Sequence, residues 1–256
     1  MSAPLVAGAA AWLLARNPNW DANHVRARLI ATGEPLNSSL EIGSVRLDLF
    51  EALFNGSFED NIYAIRNLRS LSRAWVSEQS NTSQKEMLGN IEPYHRKHMI
   101  EVSTGNTGEM VQAELIKDFA VPSDVTSFNI AFDYNFISEE YPEYVDEGFN
   151  DTLIIQLQNY QGGMIGSPIT LVQENIDEAD FVLWTDNPPD FPDGDDTVGQ
   201  TGRQTVCRSI DIENFAVSSG NKHIRFLVTI EDRGDGIYDS VVLLDAVRFP
   251  EECPPN

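Results

Sequence analysis

The sequence predicts a mainly β protein, an antiparallel β-sandwich of the jelly-roll kind that follows a short helical segment. From residue 56 onward, β-branched and aromatic runs are separated by Gly, Pro, Asn and Asp, with no helical pattern between them. Apolar residues occupy every second position in two runs, for example at Phe128, Ile130, Phe132 and Tyr134. About eight such strands favour a sandwich. The predicted strands cover residues 99–104, 111–119, 127–134, 152–158, 181–184, 204–212, 223–231 and 240–249.

The first 54 residues have the pattern of three helices. The first is small and apolar, with Pro4 in its first turn, where a missing N–H is tolerated. Asp21 is a good N-cap for the second helix, and a third is predicted around residues 48–54. Three helices without a strand cannot close a core in about 54 residues. We therefore expect residues 1–54 to be an incomplete domain and residues 55–256 to be a separate β-sandwich domain.

The Ala-rich opening is neither a typical secretory signal nor a membrane span. No basic residue precedes its apolar run, and the first one, Arg16, follows it. The run is also shorter than the roughly 20 residues that cross a bilayer. Its small side chains instead predict a helix that packs closely inside a larger domain.

The composition is strongly acidic, with 40 acidic and 17 basic residues and a formal net charge of -23. This charge excludes nucleic acid as a partner and disfavours anionic membranes. Residues 118–202 contain 18 acidic residues and no Lys or Arg. Two explanations remain open for this segment, a solvated face of a secreted or salt-adapted protein and carboxylates gathered around calcium.

The two cysteines, Cys207 and Cys253, form no C-x-x-C pair, which disfavours a zinc or redox site. They are candidates for a disulfide that ties the C-terminal tail to the fold, with free thiols as the alternative.

The opening MSAPLVAG resembles the segment that follows the nucleophile in subtilisin-like serine peptidases, where Ser-Met and a small residue precede Ala-Pro-His-Val-Ala-Gly. The chain departs from this pattern at Leu5, where the family usually has His. The resemblance implies that residues 1–54 are the last helices of an α/β subtilase domain, beginning just after the catalytic Ser. It implies a helix that supports the nucleophile, formed by Met1, Ser2, Ala3, Pro4, Val6 and Gly8.

No segment of the sequence supplies the catalytic Ser, His or Asp of that family. The resemblance therefore implies that Met1 is internal to a longer protein and that this chain is itself inactive. The full-length protein would be a secreted serine endopeptidase that cleaves peptide or protein substrates by Ser-His-Asp acyl transfer.

The second part resembles secreted bacterial β-sandwich modules of the choice-of-anchor type, often attached to exported enzymes and surface proteins. The stretches that carry this resemblance are NGSFE at 55–59, FDYNFISEEYPEY at 132–144, GFND at 148–151 and DRGDGIYDS at 232–240.

Carboxylates concentrate in these stretches, beside glycines that permit tight turns. A hard cation is the simplest reason to gather them, since unpaired carboxylates repel one another. We therefore expect a calcium site with ligands from Glu139, Glu140, Asp151, Asp235 and Asp239.

A further resemblance, to galactose-binding-like sandwiches, implies a structural calcium shared by Glu59 near the first strand and Asp245 in the last. Such a site would pin the first strand to the last without catalysing a reaction.

The sequence thus favours the C-terminal part of a secreted or cell-surface subtilisin-like peptidase with a calcium-stabilised sandwich. The alternative is a calcium-dependent module that binds carbohydrate or protein and has no enzymatic activity. A polysaccharide or a cell-surface molecule is the candidate ligand of the sandwich. Trp184, Tyr160 and Phe191 could stack on a sugar or peptide, although aromatic residues in a sandwich more often belong to the core.

Overall fold

The fold is taken from a computed structural model of the chain. It describes residues 3–16, 20–31, 34–35, 45–46, 74–78, 94, 98–104, 112–185, 197–234 and 238–254.

Two helices and fourteen strands lie within these ranges. The helices are α1 (Ala3–Arg16) and α2 (Ala22–Ala31). The strands are β1 (Glu34–Pro35), β2 (Val45–Arg46), β3 (Ala74–Glu78), β4 (His98–Ser103), β5 (Gln112–Pro122), β6 (Ser127–Ser138), β7 (Thr152–Asn159), β8 (Ile169–Asn175), β9 (Val182–Leu183), β10 (Gly199–Gln200), β11 (Gln204–Asp211), β12 (Val217–Ser218), β13 (Asn221–Glu231) and β14 (Ser240–Arg248).

The helices pack on each other through one face. Leu13 of α1 is buried against Trp20 and Val25. The side chain of Asp21 accepts a hydrogen bond from the backbone N–H of Asn23 at 2.8 Å, as an N-cap does. The opposite face of α1 is exposed, and Trp12 is 56% accessible. Among the described residues, this helix is therefore buried on one face only.

The three-helix remnant is not reproduced in the described residues, which contain two helices before the sandwich. The third predicted helix, at residues 48–54, lies outside them. Between α2 and that segment, β1 pairs with β2 in an antiparallel arrangement. None of the described helices is long and apolar enough to cross a membrane.

The predicted mainly β architecture with antiparallel sheets is confirmed. Within the described residues, seven strands form one sheet in the order β3-β4-β14-β6-β10-β9, with β11 also paired to β6. Five strands form the other sheet in the order β12-β13-β7-β8, with β5 also paired to β13. All of these pairings are antiparallel.

The main core lies between the two sheets. Phe132 and Phe136 of β6 are fully buried, as are Phe226 and Val228 of β13. The rings of Phe132 and Phe226 meet edge to face with centroids 5.8 Å apart, joining the sheets directly. Alternating apolar residues on the two strands thus supply the inner faces of the sandwich.

A disulfide joins Cys207 of β11 to Cys253, beyond the end of β14, with their Cα atoms 5.5 Å apart. The same tail is held by the side chain of Asn129, which donates a hydrogen bond to the carbonyl of Glu251 at 2.6 Å. The C-terminal tail is therefore attached to the seven-stranded sheet by a covalent and a polar contact.

Candidate functional site

Two connections between the sheets meet at one end of the sandwich, one from β6 to β7 and the other from β13 to β14. Ser138, which ends β6, pairs with Ser240, which begins β14. Thr152, which begins β7, pairs with Glu231, which ends β13. The two connections therefore cross between the sheets side by side.

Three carboxylates converge where these connections meet. Glu140 and Asp151 lie near the two ends of the β6–β7 connection, and Asp232 directly follows β13. Their exposed fractions are 0%, 0% and 6%. One oxygen of each lies within 4.8 Å of the corresponding oxygens of the other two. We call these three residues the carboxylate cluster.

Backbone hydrogen bonds fix the orientation of the cluster. The N–H of Asp151 donates to Glu140 Oε2 at 3.4 Å. The N–H of Arg233 donates to Asp151 Oδ1 at 2.9 Å. The other oxygen, Asp151 Oδ2, is fully buried and accepts no hydrogen bond within the described part of the chain. Burying a carboxylate oxygen that accepts no hydrogen bond raises the free energy of the folded state unless a bound proton or cation neutralises the charge.

The surroundings of Asp151 also disfavour its negative charge. The pKa of Asp151 is raised from 3.8 to about 7, chiefly by burial and to a smaller extent by the nearby charge of Asp232. The nearby Ser240 hydroxyl and the Arg233 N–H favour the charged form but do not outweigh burial. Of these two groups, only the Arg233 N–H makes a well-aligned hydrogen bond to Asp151, because Ser240 Oγ has no hydrogen-bond partner among the described residues. The Arg233 guanidinium pairs with Glu231 at 2.6 Å, so this cation is committed to a carboxylate outside the cluster.

The frame around the cluster is tightly bonded. The N–H of Glu139 donates to the carbonyl of Asp239 at 3.1 Å, and the N–H of Asp239 donates to Glu139 Oε2 at 2.9 Å. Beside them, the Ser240 N–H donates to the Thr104 hydroxyl oxygen at 2.9 Å. These bonds link the β6–β7 connection to β14, and β14 to the end of β4.

Aromatic side chains from the same two connections pack against one another. Tyr144 contacts Phe149 and Tyr238, with ring centroids 5.3 Å and 4.9 Å apart. Gly234 has φ of 141°, and a side chain at its position would collide with the Phe149 ring. Glycine is therefore required here for the backbone to pass close to that ring.

The structure divides the predicted calcium ligands. It brings Glu140 and Asp151 together and adds Asp232, which was not among the predicted ligands. Glu139 and Asp239 lie next to the cluster but bond to each other. Asp235 lies outside the described residues.

Only one member of the second predicted calcium pair lies within the described residues. Glu59 lies outside the described residues. Asp245 is fully buried on β14, where its Oδ1 accepts the Ala246 N–H at 2.6 Å. It pairs across strands with Asp133, which bonds Arg203 at 2.7 Å. Because Asp245 is five positions from Ser240, it lies about 17 Å along the strand from the carboxylate cluster.

The residues predicted to support a nucleophile belong to or precede α1. Met1 and Ser2 lie outside the described residues, and α1 begins at Ala3 and includes Pro4. Val6 is 40% exposed and Gly8 is exposed.

Comparisons with known proteins leave the family open. No protein-family model matches the chain, and no curated protein matches it.

Among solved structures, it is similar to the enzymatically active domain of tailspike protein 4 from bacteriophage CBA120 (8% identity, TM-score 0.39), covering 80% of this chain and 22% of that one. It is also similar to a carbohydrate-binding module of the β-sandwich superfamily (8% identity, TM-score 0.38), covering 77% and 61%. A third similarity is to a module specific for non-crystalline cellulose (12% identity, TM-score 0.36), covering 76% and 91%. The chain thus spans less than two thirds of the first two proteins. Similarities at this level do not establish a shared function.

Proposed function

We propose that this chain is a calcium-stabilised β-sandwich module that acts by binding and not by catalysis. The observation that carries the calcium assignment is the buried convergence of Glu140, Asp151 and Asp232. The unbonded, buried Asp151 Oδ2 is an independent observation that supports an ion there.

The spacing of the oxygens fits a single ion. Calcium binds oxygen ligands at about 2.3 to 2.6 Å, so two oxygens on opposite sides of the ion are up to about 5 Å apart. The three cluster oxygens, all within 4.8 Å of one another, satisfy that limit. Carboxylates without Cys or His suit a hard cation such as calcium, whose coordination tolerates irregular loop geometry.

Burial favours a structural role for the ion. A catalytic metal needs a position open to substrate, whereas the three cluster side chains are at most 6% exposed. An ion held by Glu140 and Asp151 on one connection and Asp232 on the other would cross-link the two connections. It would also offset the cost of burying their negative charge.

Thermal denaturation of the whole chain tests the calcium assignment. After treatment with EDTA, adding calcium at about 100 times its Kd stabilises the folded state by about 2.7 kcal/mol. For a domain of this size, that corresponds to an increase in Tm of about 5 to 11 °C. Magnesium at the same concentration serves as the control for ionic strength. An unchanged Tm on adding calcium to the chelated protein contradicts the assignment.

A secreted or cell-surface location is part of the proposal. The Cys207–Cys253 disulfide is typical of oxidising compartments. Calcium concentrations outside cells are also high enough to fill sites of modest affinity.

A second candidate is that the module belongs to a longer subtilisin-like peptidase. The MSAPLVAG segment and its continuation into α1 favour it. Sequencing the genomic DNA upstream of the Met1 codon tests this candidate. An in-frame Gly-Thr-Ser, with a His-Gly-Thr-His segment further upstream, is the expected result. Unrelated sequence or a stop codon there contradicts it.

The Glu59–Asp245 calcium pair stays a prediction.

A further inference from the structure

A cleft lies between α1 and the end of the five-stranded sheet farthest from the carboxylate cluster. Its volume is about 730 Å³, within the usual range for ligand pockets of roughly 300 to 1,000 Å³. Trp12 lines one side, and Tyr160, which follows β7, lines another. The remaining walls come from the end of β5 and from β12 and β13.

The cleft exposes aromatic surface. Trp12 is 56% exposed, an unusually high fraction for the largest apolar side chain. The Tyr160 ring is held in place because the Arg225 guanidinium lies over it, 3.4 Å from the ring centroid. A rigid tyrosine and an exposed tryptophan on one cleft provide flat surfaces on which a ligand can pack.

The charged groups beside these rings are paired. Arg225 donates two hydrogen bonds to Asp118, from Nε at 2.7 Å and from Nη2 at 2.8 Å. The side chain of Arg225 is 11% exposed and that of Asp118 is 40% exposed. A carboxylate edge therefore remains accessible to accept a hydrogen bond, although the pair is formally neutral.

Further polar side chains complete the lining. Gln161, Ser218, Asn221 and His223 line the cleft and carry both donors and acceptors. The ligand that fits flat aromatic surfaces and mixed hydrogen-bonding groups has apolar faces and many hydroxyls. The net charge of -23 repels polyanions, which favours an uncharged ligand.

We infer that this cleft binds a neutral oligosaccharide, with Trp12 and Tyr160 as stacking surfaces. This inference rests on the proposed binding function but not on the calcium site. The two places are separated by the length of β7, about 30 Å from Asp151 to Tyr160. Calcium should therefore affect binding only through the stability of the fold.

Isothermal titration calorimetry with the whole chain tests the inference. The probes are hexasaccharides of β-1,4-glucose, β-1,4-xylose, β-1,4-mannose and α-1,4-glucose, together with the peptides of a tryptic casein digest. We expect at least one hexasaccharide to bind with a Kd below about 1 mM. Trp12→Ala and Tyr160→Ala should each weaken that binding about 10-fold or more. Tyr160→Phe, which keeps the ring, should retain most of the affinity.

One control and one variant that does not depend on Tyr160 separate the outcomes. Leu183→Ala removes a 46% exposed apolar side chain from the other sheet and should leave binding unchanged. Because Trp12 is on an exposed helix face, Trp12→Ala tests the cleft even if Tyr160→Ala does not fold. Absence of binding by all four hexasaccharides, or binding that survives both alanine substitutions, overturns the inference.

Casein peptides that bind and lose affinity in the Trp12→Ala variant would show a peptide site instead. That result preserves a binding function and overturns the oligosaccharide. Hexasaccharide binding without calcium stabilisation would overturn the metal site and leave the cleft in place.

Discussion

Replacing Asp151 with Asn separates a metal ligand from an ordinary buried hydrogen-bonding group. The amide keeps the size of the side chain and an oxygen that can accept the Arg233 N–H, which is 2.9 Å from Asp151 Oδ1. It removes one of three negative charges that lie within 4.8 Å of one another. The substitution should therefore have opposite effects in the absence and presence of calcium.

Without calcium, the variant should be more stable than the wild type. The charge of Asp151 faces two carboxylates, each at the 4.8 Å limit and each repelling it by about 3 kcal/mol at an effective dielectric constant of about 20. Because its pKa is about 7, Asp151 is only about half ionised near neutral pH, so the substitution relieves about 3 kcal/mol in all. Loss of hydrogen bonding around the new amide offsets part of this gain, by about 1 to 2 kcal/mol. We expect a net gain of about 1 to 2 kcal/mol, or an increase in Tm of about 2 to 8 °C in EDTA.

With calcium, the order should reverse. Removing one charged ligand should reduce the calcium-induced increase in Tm from about 5 to 11 °C to less than about 2 °C. Differential scanning calorimetry of both proteins in EDTA and in calcium measures all four values. The matched control is Asp180→Asn, an exposed carboxylate outside the cluster, which should leave the calcium response intact. An equal decrease in Tm in both buffers would refute the reasoning, because Asp151 would then act only through hydrogen bonds.

Three further predictions concern the pH response of the cluster, the disulfide and the loop at Gly234. The pKa of Asp151 is raised from 3.8 to about 7, so its burial destabilises the chelated protein increasingly as pH rises between those values; lowering the pH from about 7.5 to 5.5 should raise the Tm in EDTA and shrink the calcium response, and a pH-independent calcium response would contradict this. Cys207→Ser with Cys253→Ser opens a loop with a sequence separation of 46 and should cost about 4 kcal/mol, measured by urea denaturation; a loss below about 1 kcal/mol would contradict it. Gly234→Ala should lower the Tm and weaken calcium binding because its methyl group collides with Phe149, and unchanged values in calorimetry would contradict the described loop.

The sheets could be predicted because apolar residues alternate with other residues along the central strand of each sheet. Alternating apolar residues identified β6 and β13, whose inner faces form the core. The alternation predicted an end of β6 at Tyr134, whereas the strand continues to Ser138 because Phe136 is also buried in the core. That extension brings Glu140 to the end of the sandwich.

The strand β8 (Ile169–Asn175) was missed because its sequence carries little alternation. It pairs with β7 and buries only Leu171 and Val172 among its seven residues. Polar residues dominate the rest of the strand, so its assignment depends on tertiary pairing.

The sequence predicted that carboxylates form the candidate metal site, but it did not predict which carboxylates come together. The acidic loops identified Glu140 and Asp151, but only the pairing of Thr152 with Glu231 brings Asp232 beside them. Neighbouring acidic residues cannot be sorted by composition, and Glu139 proves to bond the Asp239 N–H. The cleft could not be predicted from the sequence, although Tyr160 was among the predicted stacking residues, because Trp12 and Tyr160 are far apart in the chain and line one cleft only in the folded structure.

A crystal structure determined in the presence of calcium tests the central claim most directly. The account predicts one cation within about 2.3 to 2.6 Å of oxygens from Glu140, Asp151 and Asp232, identified by its anomalous scattering. A fully ordered carboxylate cluster bonded only to water or protein groups at saturating calcium would contradict it.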